Sequence, residues 1–78
     1  MTNREKYVNA FVEVMEVEPS EVEKLVYQEI DAWDSVGHMS LVAELEDVFD
    51  IMMDTDYIID FSSFEKGIEI LKKYNVEI

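Results

Sequence analysis

Apolar residues recur every three or four positions through the middle of the chain, over Trp33–Phe49. This spacing predicts a helix with one face that can be buried. The face consists of His38, Leu41, Val42, Leu45, Val48 and Phe49. Asp34 precedes the stripe at the N-cap position, where a carboxylate accepts hydrogen bonds from backbone N–H groups that lack a partner within the helix. Ser35 then lies in the first turn, where the partial positive charge of the helix N-terminus favours an anion such as a phosphate ester.

Two shorter stripes flank this central helix. Thr2 and Glu5 have capping-box spacing and open a predicted first helix of roughly four turns. Its apolar stripe is Val8, Phe11, Val12 and Met15, with Tyr7 and Val14 at the margins. Pro19 disfavours helical geometry at the preceding residue and is expected to end this helix. Ser62 and Glu65 repeat the capping-box spacing before a predicted last helix, whose stripe is Phe64, Ile68 and Leu71.

The connecting segments carry weaker patterns. After Pro19 we expect one or two helical turns, capped by Ser20 with Glu23, and then an extended connection over residues 27–31. Asp54 is expected to cap a short helical turn that reaches Ile59. The two neighbouring methionines ahead of it are predicted to fill gaps in the core or to anchor the loop, namely Met52 and Met53. The predicted fold is a single all-α domain over residues 1–78, with three longer helices, one short helix and a long first loop.

Length and composition narrow the class of protein. A chain of 78 residues buries only about 60–65 % of its unfolded surface, so one layer of side chains between a few helices forms the core. There is no cysteine, which excludes a disulfide framework and a thiolate metal site. The chain has neither an apolar run near the ~20 residues of a membrane span nor a signal peptide over Met1–Val8. We therefore expect a cytoplasmic monomer that does not insert into membranes.

The charge distribution adds a candidate partner class. The formal net charge is −13, and no lysine or arginine lies between Lys24 and Lys66. That span carries eleven acids: Glu29, Asp31, Asp34, Glu44, Glu46, Asp47, Asp50, Asp54, Asp56, Asp60 and Glu65. A field of one sign repels nucleic acid and anionic membranes and attracts basic protein surfaces. The plainer interpretation is a merely solvated surface, and both stay open at this point.

One catalytic and one metal-binding interpretation of the sequence are only weakly supported. Ser35 and His38 are close enough in sequence for a nucleophile–base pair, but no third group, oxyanion hole or pocket is evident, so a hydrolase is rejected. Acidic and hydroxyl residues from Asp54 to Glu65 match several positions of an EF-hand loop. Ile58 and Ile59 occupy the positions that need an oxygen ligand and a glycine, so no metal site is predicted. His38 is instead expected to be a hydrogen-bonded packing residue that steadies the loop.

The central motif resembles that of a known family. Asp34-Ser35-Val36, followed by an acidic amphipathic helix that ends in Leu45–Phe49, resembles the Asp-Ser-Leu helix of acyl carrier proteins. Residues 61–64, Phe-Ser-Ser-Phe, resemble the apolar-Thr-Thr-apolar entry to that family's last helix. The resemblance covers nearly the whole chain in length, element order and the long first loop. It implies a four-helix bundle of acyl-carrier type.

The resemblance also implies a function. In such carriers a phosphopantetheinyl transferase joins 4′-phosphopantetheine from coenzyme A to the serine, here Ser35 beside the N-cap Asp34. The arm's thiol carries acyl or aminoacyl groups as thioesters, delivered by a loading ligase and passed to a downstream transferase or synthase. The protein would then be a carrier for fatty-acid, polyketide or nonribosomal-peptide chemistry, and not an enzyme. Residues 33–38 are similar to those of stand-alone carriers in specialised pathways, including surface-polysaccharide and natural-product clusters.

The outer face of the central helix is the expected docking surface, and packing of Met39 under the first loop is the alternative that stays open. This face carries an apolar row rimmed by acids, which is the composition of a transient interface: Val36, Met39, Ala43, Glu46, Asp47 and Asp50. Several positions depart from the commoner pattern of the family and favour a dedicated pathway, namely Ala32, Trp33, Val36, Ser40 and Ala43. A rival function from another class is an acidic helical inhibitor or binding protein for a basic enzyme, without a prosthetic group.

Overall fold

The five helical segments of the chain account for 63 % of its residues, and no strand is present. The structure is a computed structural model that describes residues 1–78. Its elements are α1 (Asn3–Met15), a 3₁₀ helix (Pro19–Lys24), α2 (Ser35–Phe49), α3 (Thr55–Asp60) and α4 (Phe64–Lys72). Helix α1 packs against α2 and the 3₁₀ helix, and α4 packs against the 3₁₀ helix. The all-α prediction is therefore confirmed. The segment after Pro19, whose sequence pattern is weak, forms a 3₁₀ helix.

Helix α1 begins at the predicted capping box. The Thr2 hydroxyl accepts a hydrogen bond from the Glu5 backbone N–H, and the Glu5 carboxylate accepts one from the Thr2 N–H. The bond from the Thr2 backbone N–H to the Glu5 carboxylate lowers the pKa of Glu5 below its ordinary value, and the Thr2 side chain lowers this pKa further. The helix ends before Pro19, because Glu16 takes a left-handed conformation. The boundary thus follows from local signals at both ends.

The core is aromatic, and its most buried members include one residue that the sequence analysis placed at the margin. Tyr7 is fully buried, and its hydroxyl donates to the Phe64 carbonyl at 2.6 Å. Burial raises the pKa of the Tyr7 phenol far above its ordinary value of 10.0. The Tyr7 and Phe11 rings meet edge to face, with centroids 5.1 Å apart. Since its polar atom is satisfied across the fold, Tyr7 is a core residue, and the marginal assignment was wrong.

The start of α4 lies one residue later than predicted. Its N-cap is Ser63, whose hydroxyl accepts from the Lys66 N–H, so the expected pairing of Ser62 with Glu65 was wrong. The reason is an isolated antiparallel bridge between Val26 and Ser63. It holds Ser63 in an extended conformation, because the Ser62 carbonyl accepts from the Tyr27 N–H at 2.8 Å and the Leu25 carbonyl accepts from the Phe64 N–H at 3.0 Å.

The first loop and the two short helices depart from prediction in their details. Residues 27–31 form turns, not an extended connection. The 3₁₀ helix has Pro19 at its first position, so Ser20 lies inside it and does not cap. Asp54 is the N-cap of α3, but its side chain makes no capping bond. Met53 is buried as expected, whereas Met52 is 84 % exposed and fills no gap in the core.

None of the helices combines the length and apolar character that a membrane crossing requires.

Added salt is expected to raise the melting temperature. The only ion pair in the structure joins Arg4 to Glu23 at 3.0 Å on the surface, so the formal charge of −13 is almost uncompensated. At 0.01 M salt the screening length of about 30 Å spans the whole molecule, and at 0.1 M it falls to about 10 Å. The molecule measures 29 × 27 × 18 Å. We expect the melting temperature to rise by about 5 °C or more over this range.

Thermal unfolding followed by circular dichroism at the two salt concentrations checks this expectation. Magnesium should act more strongly than sodium at equal ionic strength, because divalent cations concentrate near clustered acids. A melting temperature that is the same at both concentrations would show that the acids do not repel one another appreciably.

Candidate functional site

The candidate site is the first turn of α2, which starts at Ser35. Asp34 is the N-cap in extended conformation, and its Oδ1 accepts from the Gly37 N–H at 2.8 Å. The Asp34 carbonyl accepts the first helical bond, from the His38 N–H at 2.8 Å. Ser35 therefore occupies the first helical position, where the backbone N–H has no partner within the helix. Local sequence alone determines this start, because the cap and its partner are three residues apart.

Trp33 and His38 lock the entry of the chain into α2. Trp33 immediately precedes the N-cap, and His38 is four positions after it, the spacing at which a hydrophobic staple forms. Here the pair is also hydrogen-bonded, because the Trp33 Nε1–H donates to His38 Nδ1 at 2.9 Å. The two rings lie edge to edge and nearly parallel, at an interplanar angle of 22°. Since Trp33 is fully buried, this contact fixes the direction in which Ser35 is presented.

His38 is saturated by bonds to groups other than Ser35. With Nδ1 accepting from Trp33, the ring proton is on Nε2, which donates to the Ile58 carbonyl of α3 at 2.8 Å. The expected structural role of His38, a hydrogen-bonded packing residue, agrees with this geometry. No hydrogen bond joins His38 to Ser35, so the arrangement lacks the serine–base contact of a nucleophilic pair.

Ser35 is exposed, and its nearest polar neighbour is a tyrosine that the sequence analysis did not single out. The hydroxyls of Ser35 and Tyr27 lie 3.3 Å apart, which is long for an O–H···O bond. The Tyr27 ring packs on the His38 ring, with centroids 5.0 Å apart. Tyr27 is brought here by the turn-rich first loop, which the Val26–Ser63 bridge ties to the start of α4. Nothing in the local sequence pattern signals this long-range tie.

An open apolar cleft of about 330 Å³ lies beside Ser35, between the first turn of α2 and α3. Its lining is Tyr27, Ser35, His38, Met39, Ile58, Ile59 and Phe61. His38 and Phe61 are buried, while Met39 and Ile59 are 54 % and 74 % exposed. The cleft is therefore open at Ser35 and bounded by buried side chains at its base.

Four of the six predicted docking residues differ in how free they are: Val36, Met39, Glu46 and Asp47. Val36, next to Ser35, is 76 % exposed, and Met39 lies one turn further on with half its surface exposed. Asp47 is also exposed. Glu46 is half-buried, and its carboxylate accepts a hydrogen bond from the Met53 N–H at 2.9 Å. This bond stabilises the loop after α2. Val36, Met39 and Asp47 are thus available to contact a partner, whereas Glu46 also stabilises a loop.

The acidic surface does not gather into a metal site. No group of three or more His, Cys, Asp or Glu side chains is positioned to hold a metal ion. The acids of residues 54–65 are distributed over α3 and the start of α4 instead of a single ligand loop.

No protein-family model, curated protein or solved structure matches this chain. The features that point to a function are the residues and geometry of the α2 N-terminus.

Proposed function

We propose that this protein is a stand-alone carrier of acyl or aminoacyl groups, which are held as thioesters on a 4′-phosphopantetheine arm attached to Ser35 Oγ. The observation that carries the proposal is the exposed hydroxyl of Ser35 at the first position of α2. Asp34 caps this helix and Trp33 fixes its entry through His38. A serine held this way is accessible to a modifying enzyme while its backbone stays rigid.

The surroundings of Ser35 suit a phosphate ester. The unpaired N–H groups and the positive end of the α2 dipole favour an anion at this position. The Tyr27 hydroxyl, 3.3 Å from Ser35 Oγ, is close enough to donate to a phosphate oxygen placed there. The Asp34 carboxylate accepts a hydrogen bond from the Gly37 N–H. It therefore leaves the other N–H groups at the start of α2 available to a phosphate. Once attached, the arm supplies a thiol, which the chain itself lacks because it has no cysteine.

The order of the helices supports the finer assignment of the fold to the four-helix bundle of acyl-carrier type. Long α1 and α2 are separated by the long first loop, and the short α3 precedes α4. In this proposal the chain catalyses no reaction itself. A phosphopantetheinyl transferase joins Ser35 Oγ to the phosphopantetheine phosphorus of coenzyme A, which breaks the pyrophosphate bond and releases adenosine 3′,5′-bisphosphate. A ligase then activates the acyl or aminoacyl acid with ATP and forms the thioester on the arm's thiol. A transferase or synthase of a dedicated pathway consumes the thioester and leaves the thiol free.

Incubation with coenzyme A, magnesium and a promiscuous phosphopantetheinyl transferase tests the proposal. The intact mass of the wild type is expected to rise by one phosphopantetheine arm, and that of Ser35→Ala is expected not to change. Ser40→Ala is the matched control, because Ser40 is exposed on the same helix one turn and a half later. It should gain the arm like the wild type.

A wild type that gains no mass, or a Ser35→Ala variant that still gains the arm, contradicts the proposal. In the first case the acidic inhibitor or binding protein becomes the better explanation of the charged, partly apolar face of α2. That alternative predicts tight, salt-sensitive binding to a basic enzyme without any covalent modification.

The acidic face of α2 is expected to accelerate docking. Asp47→Lys reverses an exposed charge on this face without removing a hydrogen bond, unlike any change at Glu46. We expect the initial rate of arm transfer to fall about two- to fivefold at low salt, because steering by a field of one sign is weakened. The difference from wild type should shrink at high salt.

Glu13→Lys on α1 is the matched control, since Glu13 is also exposed but lies on a different helix. It makes the same change in net charge and should affect the rate less. Equal slowing in both variants would mean that net charge, and not the face of α2, governs the encounter.

A further inference from the structure

The cleft beside Ser35 determines where a tethered apolar group can go. It opens at Ser35 between the first turn of α2 and α3, with a volume of about 330 Å³. Met39 and Ile59 form its exposed rim. Any alkyl chain that folded back from an arm on Ser35 would meet this opening before it reached the interior.

The base of the cleft is bridged by a chain of two hydrogen bonds through His38. Trp33 lies on the α2 side and donates to Nδ1, and Nε2 donates across the cleft to the Ile58 carbonyl of α3. His38 is only 8 % exposed. An alkyl chain that pushed the imidazole aside would leave the Trp33 N–H, the Ile58 carbonyl and the ring nitrogens without partners. Burying unpaired polar groups is strongly unfavourable, so the bridge resists displacement.

Aromatic rings fill the space behind the bridge. Phe61 lies 5.8 Å from His38 and 6.2 Å from Trp33 between ring centroids, both edge to face. Phe11 lies 5.3 Å from Trp33 in the same manner, and all three of these core rings are at most 1 % exposed. Rings packed at this density leave no channel for a chain of methylene groups. The closure therefore extends from the base of the cleft into the core.

We propose that His38, held between Trp33 and Ile58, is a specificity-determining residue that keeps the cargo outside the bundle. This inference rests on the proposed function. A long alkyl group kept outside exposes apolar surface to water in proportion to its length. A short acyl group, or an aminoacyl group with its charged amine, exposes little or none. The carrier therefore suits short or polar acyl and aminoacyl groups, and disfavours long-chain fatty acyl groups.

A series of loaded carriers tests this assignment. The promiscuous transferase attaches acyl-phosphopantetheine from acetyl-, hexanoyl- and dodecanoyl-coenzyme A, and intact mass confirms each product. Trp33, the only tryptophan of the chain, lies at the closed base and reports on entry through its fluorescence. We expect the same Trp33 emission maximum and the same rate of thioester cleavage by hydroxylamine for all three acyl groups.

The assignment is overturned if the dodecanoyl form shifts the Trp33 emission and is cleaved more slowly than the acetyl form. This comparison uses wild-type protein and so does not depend on any variant folding. A wild type that gains no arm refutes the proposed function at the mass measurement, before any chain lengths are compared. The two failures are therefore distinguishable.

Opening the bridge provides the positive control. His38→Ala removes both hydrogen bonds and is expected to slow cleavage of the dodecanoyl thioester alone, with a shift in Trp33 emission. Met52→Ala removes an exposed apolar side chain outside the cleft and leaves the bridge intact, so it should behave like the wild type across the series. A folded His38→Ala protein with no dependence on chain length would contradict the role of His38.

Discussion

Replacing Gly37 with alanine is expected to lower the melting temperature by about 5 °C or more and to slow attachment of the arm to Ser35. In an ordinary helix this change stabilises by about 1 kcal/mol, because alanine has the higher helix propensity. Here a Cβ on Gly37 would overlap the backbone carbonyl oxygen of Ala32. That oxygen cannot rotate away as a side chain would. Overpacking of this kind costs about 1–3 kcal/mol, and sometimes more, which outweighs the gain in propensity.

The Gly37→Ala change is expected to alter the position of Ser35, because the overlap involves Ala32 in the segment immediately before α2. To relieve it, the segment before α2 must move or the first turn must unwind, and either breaks the bond from the Gly37 N–H to Asp34. The hydrogen bond from the Trp33 Nε1–H to His38 Nδ1 would be disturbed as well. Circular dichroism gives the melting temperature, and intact mass over time gives the rate of arm transfer below the unfolding transition. A Gly37→Ala protein that melts at or above the wild-type temperature would refute the argument.

The start of α2 was predictable from sequence because everything that defines it is local. The cap from Asp34 to Gly37 spans three residues, and the apolar stripe begins immediately after it. The staple between Trp33 and His38 has the same local character and could have been found from its spacing of five residues.

The rest of the site depends on contacts between segments that are distant along the chain. Tyr27 reaches Ser35 because the first loop is tied to the start of α4 by backbone hydrogen bonds across more than thirty residues. His38 finds its second partner, Ile58, twenty residues away. Helical periodicity reports which face of a segment is apolar, but not which loop will cover that face. The periodicity of apolar residues therefore could not predict the cleft or its closed base.

The same limit explains the error at Tyr7. A tyrosine next to an apolar stripe can lie either at the solvent-exposed margin of a helix or in the core. Which position it takes depends on whether its hydroxyl finds a hydrogen-bond partner inside the protein. That hydroxyl is satisfied by the Phe64 carbonyl, 57 residues away. The burial of Tyr7 is thus a property of the packing of α1 against α4, and not of the sequence around residue 7.

Replacing Gly67 with alanine is expected to lower the melting temperature by about 10 °C or more while slowing arm transfer to Ser35 less than Gly37→Ala does. Gly67 is buried in α4, and a Cβ there would overlap the Tyr7 hydroxyl and the Phe61 ring. Both rings are fully packed, and moving Tyr7 breaks its bond to the Phe64 carbonyl. Overpacking of about 1–3 kcal/mol and a lost buried hydrogen bond of about 1 kcal/mol add together.

A double-mutant cycle with Tyr7→Phe isolates the overlap. Removing the hydroxyl costs stability by itself, but it also removes the closest atom to the new methyl group. The double variant Tyr7→Phe with Gly67→Ala should therefore lose less stability than the sum of the two single changes. Because the chain has only two glycines, Gly67→Ala is also the natural control for Gly37→Ala. If both variants slowed arm transfer equally at matched stability, the geometry of the first turn of α2 would not be what presents Ser35 to its modifying enzyme.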